Sequence, residues 1–298
     1  MTFDRAFGIA GLVIPFLIVP IGGLVLQWFF SRRPARAILR LQRQARLDVV
    51  ATTSYTDPQG RGHADAHLTA IGELRAIAVA TRTVARHYRR KKLSLFVSEE
   101  YTLRPEGDLL LLGGPIKNDY SRGFLERFNF DYPAALLELD AKRCIVRIGG
   151  VDLGRYDQRY TPNGVPRRDL GIVLLSSWTE DSPQRVILCA GLTTYGTEAA
   201  ARFLFEEVLK KTQRGRYLRR AMRDLPLVAV VQADIVGRQV IRSQLHENLI
   251  WTAGRGFVMP GAPPAPADGT PRGQGYSETT TDGDGDGERR GPHDSASS

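Results

Sequence analysis

Two stretches combine residue types in a spacing suited to holding a small charged ligand. In "GGPIKND", residues 113–119, an apolar run ends at Gly113 and Gly114, Pro115 follows, and Asn118 stands where it would cap a helix. In "AGLTTYGTE", residues 190–198, Gly191, Thr194, Gly196, Thr197 and Glu198 repeat the order of strand, glycine, polar loop and helix start. Glycine removes a Cβ where a ligand would approach backbone N–H groups, and a helix amino terminus favours anions. Lys117 adds positive charge to the first loop and Asp119 cancels it.

A third polar stretch, "TSYTDPQGRGHADAHLTAIGE" (residues 53–73), contributes Thr53 and Ser54 as hydrogen-bonding residues. It also holds Asp57, His63, Asp65 and His67, types that serve as metal ligands or as an acid/base set. Polar loops collect such residues by chance, and no metal site is expected here. A hydrolytic reading would rest on Glu198 or Asp57. No GxGxxG, Walker, GxSxG or HExxH pattern is present, so no cofactor is identified. Cys144 and Cys189 lie in apolar runs without ligand spacing, as buried free thiols of a reducing compartment do.

The elements that must position these loops follow from periodicity. Strands are predicted at residues 47–55, 93–99, 108–114, 134–139, 144–149, 170–178 and 184–191. Helices are predicted at 68–88, with Leu74, Ile77, Ala78 and Thr81 on its core face, at 120–128, and at 197–211. Alternating runs around Val236, Gly237 and Arg238 predict a closing hairpin. Continuous apolar strands alternating with helices point to an α/β fold: a Rossmann-like, mostly parallel sheet flanked by helices, with antiparallel additions. In such a sheet ligands bind where the carboxyl ends of strands meet their loops, the position of all three polar stretches.

Residues 6–30 carry no charge, long enough to cross a bilayer as a single helix. Six arginines lie between residues 31 and 46 and only Arg5 precedes the span, which places the carboxy-terminal side in the cytoplasm. These six account for most of the net charge of +9, so specific nucleic-acid binding does not follow from the total. Arg36, Arg40 and Arg43 share a helical face and Ile38, Leu39 and Leu41 supply apolar area, which suits contact with membrane lipids through residues 6–46. From about residue 260 the chain is rich in Pro, Gly, Ser, Thr and Asp, the composition of a disordered tail. The expected organisation is a short extracytoplasmic segment (1–5), a transmembrane helix (6–30), a basic juxtamembrane helix (31–46), an α/β domain (47–258) and the tail (259–298).

Residues 108–118, "DLLLLGGPIKN", with residues 186–204, "VILCAGLTTYGTEAAARFL", resemble a group of uncharacterised bacterial proteins. These carry a GGPxxN loop and a later AGxxxxGTxAA loop in a Rossmann-like domain, often beside membrane segments, and the resemblance covers roughly residues 47 to 245. It implies a fold and a ligand-facing edge without a reaction. The fragment "YGTE" (195–198) is similar to the GGxGT loop of nucleoside monophosphate phosphoribohydrolases, whose full glycine-rich motif is not present. These features fit a membrane-anchored cytoplasmic ligand-binding or sensor domain for a nucleotide or other small anionic ligand. The alternatives are a nucleotide- or nucleoside-processing hydrolase and a structural interaction module without a ligand.

Overall fold

The computed structural model describes residues 35–42, 46–52, 71–88, 90–104, 106–140, 143–154, 167–179 and 181–258. The span at 6–30, the loop containing Thr53, Ser54, Asp57, His63, Asp65 and His67, and the tail at 259–298 lie outside these residues. Among the described residues no helix is long and apolar enough to cross a membrane.

An eight-stranded sheet runs in the order β11-β10-β9-β7-β8-β3-β1-β2. Its strands are β1 (Leu47–Ala51), β2 (Leu93–Val97), β3 (Asp108–Leu112), β7 (Arg168–Ser177), β8 (Arg185–Gly191), β9 (Leu227–Val236), β10 (Gln239–Thr252) and β11 (Gly256–Val258). A small antiparallel sheet of β4 (Glu138–Asp140), β5 (Ile145–Ile148) and β6 (Val151–Leu153) stands apart from it. The helices are α1 (Ile71–His87), α2 (Asp119–Asp131), α3 (Thr194–Arg202), which continues into a π-helical turn at Phe203–Glu207, and α4 (Gln213–Ala221).

The mostly parallel, Rossmann-like sheet expected from the sequence is not what forms. Only β2, β1, β3 and β8 run parallel; β8–β7, β7–β9, β9–β10 and β10–β11 are antiparallel, so the sheet is mixed and mostly antiparallel. The physical reason is that burial on both faces, not parallel pairing, makes a strand continuously apolar. In β7, Val173 and Leu175 enter the core under α1, α3 and α4. Ile172 and Leu174 enter the opposite core, under α2 and the small sheet. An antiparallel strand clad on both sides therefore reads like a parallel one. The β9–β10 hairpin closes through Gly237 and Arg238, both at positive φ, with Val236 paired to Gln239.

Two further expectations shift. Leu74 of α1 is exposed, and Ala76, Ala80 and Val84 form the buried stripe instead. Small side chains let α1 sit close against α3, where a Cβ on Gly72 would come within 2.3 Å of the Thr194 carbonyl oxygen. Ile38, Leu39 and Leu41, read as lipid-facing, are buried in the α/β core together with Ala35. Residues 35–42 are thus part of the domain, pinned at its amino edge. The Gln42 amide donates to Asp108 at 2.8 Å, and the fully buried Lys91 donates to the Gln42 carbonyl at 2.7 Å and to Asp108 at 2.5 Å.

Candidate functional site

The parallel strands β1, β3 and β8 end side by side, and described residues that follow them line a cavity of about 310 Å³. Thr52 follows β1; Gly114, Pro115, Ile116 and Lys117 follow β3; Gly191, Leu192, Thr193, Thr194 and Thr197 close the third side. The fourth wall is Glu73, in the first turn of α1, with Leu139 at the rim. The volume lies at the small end of the range for metabolite pockets.

Of the residues singled out by sequence, Gly114, Pro115, Gly191, Thr194 and Thr197 line this cavity. Gly113 stands behind it at φ +102°, where a Cβ would strike the Thr52 side chain at 2.6 Å. Gly196 and Gly191 serve close backbone packing. A Cβ on Gly196 would lie 2.2 Å from the Leu170 carbonyl oxygen, and one on Gly191 would lie 2.3 Å from the Thr197 nitrogen. Asn118 is fully buried as the cap of α2: its Oδ1 accepts from the Ser121 amide at 3.1 Å and its Nδ2 donates to the Leu112 carbonyl at 3.1 Å. Glu198 is buried outside the cavity wall, bridged to Arg75 at 3.4 Å and to Arg202 at 3.8 Å. Thr53, Ser54 and Asp57 lie outside the described residues.

The amino terminus of α3 does not wait for an anion, because Asp169 already fills that position. Its Oδ2 accepts from the Gly196 amide at 2.6 Å, the Thr193 hydroxyl at 2.6 Å and the Thr193 amide at 3.1 Å, while Oδ1 accepts from the Leu170 amide at 2.8 Å. The Thr193 side chain and carbonyl take the amides of Tyr195 and Thr197. Burial still pushes the Asp169 carboxyl up to about 6 against the pull of these hydrogen bonds. On the other loop the Gly113, Lys117 and Asn118 amides bond to backbone carbonyls, so this is no phosphate loop.

Recognition in the cavity therefore falls to side chains. Glu73 is 6% exposed, and burial raises its carboxyl to about 7; hydrogen bonds from Thr52 and the charge of Lys117 oppose that rise. The Thr52 hydroxyl donates to Glu73 Oε2. A carboxyl that changes protonation near neutrality can donate a hydrogen bond to an acceptor or exchange a proton with a bound molecule. Thr52, Glu73 and Asp169 escaped the sequence reading. An acid in the first turn of a helix passes as a dipole partner, and one at the mouth of a strand passes as solvated. Cys189 is fully buried and Cys144 half-buried, and neither is in a disulfide. Among the described residues no group of three or more His, Cys, Asp or Glu is placed to hold a metal ion.

Comparison with known proteins finds no family model, no curated protein and no solved structure that matches the chain.

Proposed function

We propose that the protein is a ligand-binding domain, tethered to the cytoplasmic face of a membrane by residues 6–30, that takes a small acidic or phosphorylated molecule into the Glu73–Lys117 cavity. The observation that carries this reading is a nearly buried carboxyl, with proton affinity near neutrality, facing a cavity at the ends of three parallel strands. Protonated Glu73 donates to a ligand oxygen, Lys117 at the exposed rim supplies positive charge, and the threonines complete the hydrogen bonding. The same carboxyl favours a second reading, a hydrolase of nucleotides or nucleosides in which Glu73 is the general acid/base. In that case Glu73 takes the part that the sequence suggested for Glu198 or Asp57.

Thermal-shift screening of the full chain in detergent against nucleoside monophosphates, cyclic dinucleotides, NAD and dicarboxylates tests this. A ligand that stabilises the wild type should lose its effect in Gly114→Val, whose side chain enters the cavity. If no ligand shifts the wild type, or if Gly114→Val responds as the wild type does, the reading fails. Turnover of the stabilising ligand, abolished by Glu73→Gln, would select the hydrolase.

A further inference from the structure

A second feature, remote from the Glu73 cavity in sequence, is an arginine-lined groove of about 600 Å³ formed by Arg36, Arg40, Arg216, Arg219, Arg220 and Arg223 around Ala37 and Ile38. Two segments far apart in the chain converge here: the short helical stretch at residues 35–39 with Arg40 after it, and helix α4 with the residues after it. They are joined directly, because Arg40 Nη2 donates to the Arg223 carbonyl at 2.7 Å. The packing of Ala35, Ile38 and Leu39 into the core fixes the first segment, and Leu218 and Ala221 anchor α4 to the same core. Arg219 is oriented by hydrogen bonds to the carbonyls of Val208 at 2.8 Å and Lys210 at 2.7 Å.

Among the described residues no acidic side chain lines the groove. The nearest acid in sequence, Asp224, is paired with Arg255 at 2.7 Å. Arg36 Nε is buried without a hydrogen-bond partner among the described residues. Arg216, Arg220 and Arg223 are exposed. Like charges held this close repel unless an anion sits among them, and guanidinium groups match phosphate oxygens in pairs.

We infer that this groove is a docking site for the phosphate headgroups of anionic membrane lipids, with α4 contributing as much of it as the segment after the span. Position in the chain decides for lipid over other polyanions. Arg36 follows the end of the apolar stretch at Phe30 after five intervening residues, a reach of at most about 20 Å. On the proposed tether, on which this inference rests, Arg36 therefore lies within the headgroup layer or next to it, and Arg40 carries α4 to the same surface. Docking there fixes how the domain faces the bilayer, beyond what a tether alone would do.

Arginine-selective labelling with phenylglyoxal, read site by site by mass spectrometry, tests the inference on the full chain. The chain is mixed with vesicles of phosphatidylcholine alone or of phosphatidylcholine with phosphatidylglycerol. Labelling of Arg216, Arg220 and Arg223 should fall about five-fold or more with the anionic vesicles relative to the neutral ones. Arg122 and Arg143, remote from the groove, should label equally in both. R216Q/R220Q/R223Q should abolish the lipid-dependent protection of Arg36 and Arg40 while leaving the unfolding temperature near that of the wild type, since these three side chains are exposed. Equal labelling of the groove in both vesicles, or failure of the chain to associate with anionic vesicles, would overturn the inference. So would protection by inorganic phosphate or by single-stranded RNA that matches or exceeds that by the anionic vesicles.

Discussion

Replacing Glu73 by glutamine tests the physical basis of the cavity, because it removes the ionisation and keeps the shape. Burial raises the carboxyl from its ordinary 4.5 to about 7, so the folded state holds the proton more tightly than the unfolded chain does. The sign follows from linkage. Below about pH 4.5 both states are protonated and Glu73 carries no penalty; as pH rises toward 7 the unfolded state ionises first and stability falls. At about 1.4 kcal/mol for each tenfold change in affinity, the penalty grows from under ~1 kcal/mol at pH 5 to roughly 3 kcal/mol at pH 8. Glu73→Gln carries no such penalty, and its amide oxygen still accepts from the Thr52 hydroxyl. The variant should therefore gain roughly 2–2.5 kcal/mol on the wild type between pH 5 and pH 8. Urea unfolding of both proteins across this range, followed by tryptophan fluorescence, reads the difference directly. Asp169 titrates in the same direction in both and cancels. A difference that stays constant with pH to within ~0.5 kcal/mol would refute the account of Glu73 as a buried acid of near-neutral affinity.

Two further outcomes follow from the same structure. Asp169→Ala strands the amides of Gly196, Thr193 and Leu170 and the Thr193 hydroxyl. It should destabilise the protein by about 2–4 kcal/mol, and formate, entering the vacated site, should raise the variant's unfolding temperature more than the wild type's. Unchanged stability, or equal response to formate, would show that Asp169 is not the internal anion of α3. For the tether, a reporter fused after Val258 should be active on the cytoplasmic side, and periplasmic activity would reverse the orientation argued from the six arginines after residue 30.

What was legible locally concerns punctuation and period. Gly113 and Gly191 mark the ends of apolar runs, and those runs are β3 and β8. Asn118 stands one residue before α2, whose first turn it caps. Gly237 and Arg238 form the turn between β9 and β10. Each of these depends on residues close in the chain, through backbone sterics and local hydrogen bonds, so composition and spacing determine them. Strand direction was not legible, because a residue period records which faces are covered and not which way the neighbour runs. Helix α4 was missed for a related reason. "QRGRYLRRA" buries only Gly215, Leu218 and Ala221, too few apolar positions to show a period in nine residues.

The chemical content of the site belongs to the tertiary structure. The sequence placed two glycine-bearing loops after strands, which suggested free amides awaiting a phosphate. Folding brings Asp169 from the start of β7 onto one of those helix ends and takes the amides out of use. It also brings Glu73, 21 residues further along the chain, against Thr52 and opposite Lys117, and burial there moves its proton affinity into the physiological range. The six groove arginines likewise meet only when residues 35–40 pack beside α4. Local spacing decided where the chain turns; desolvation and contact between distant segments decided which groups at those turns can do chemistry.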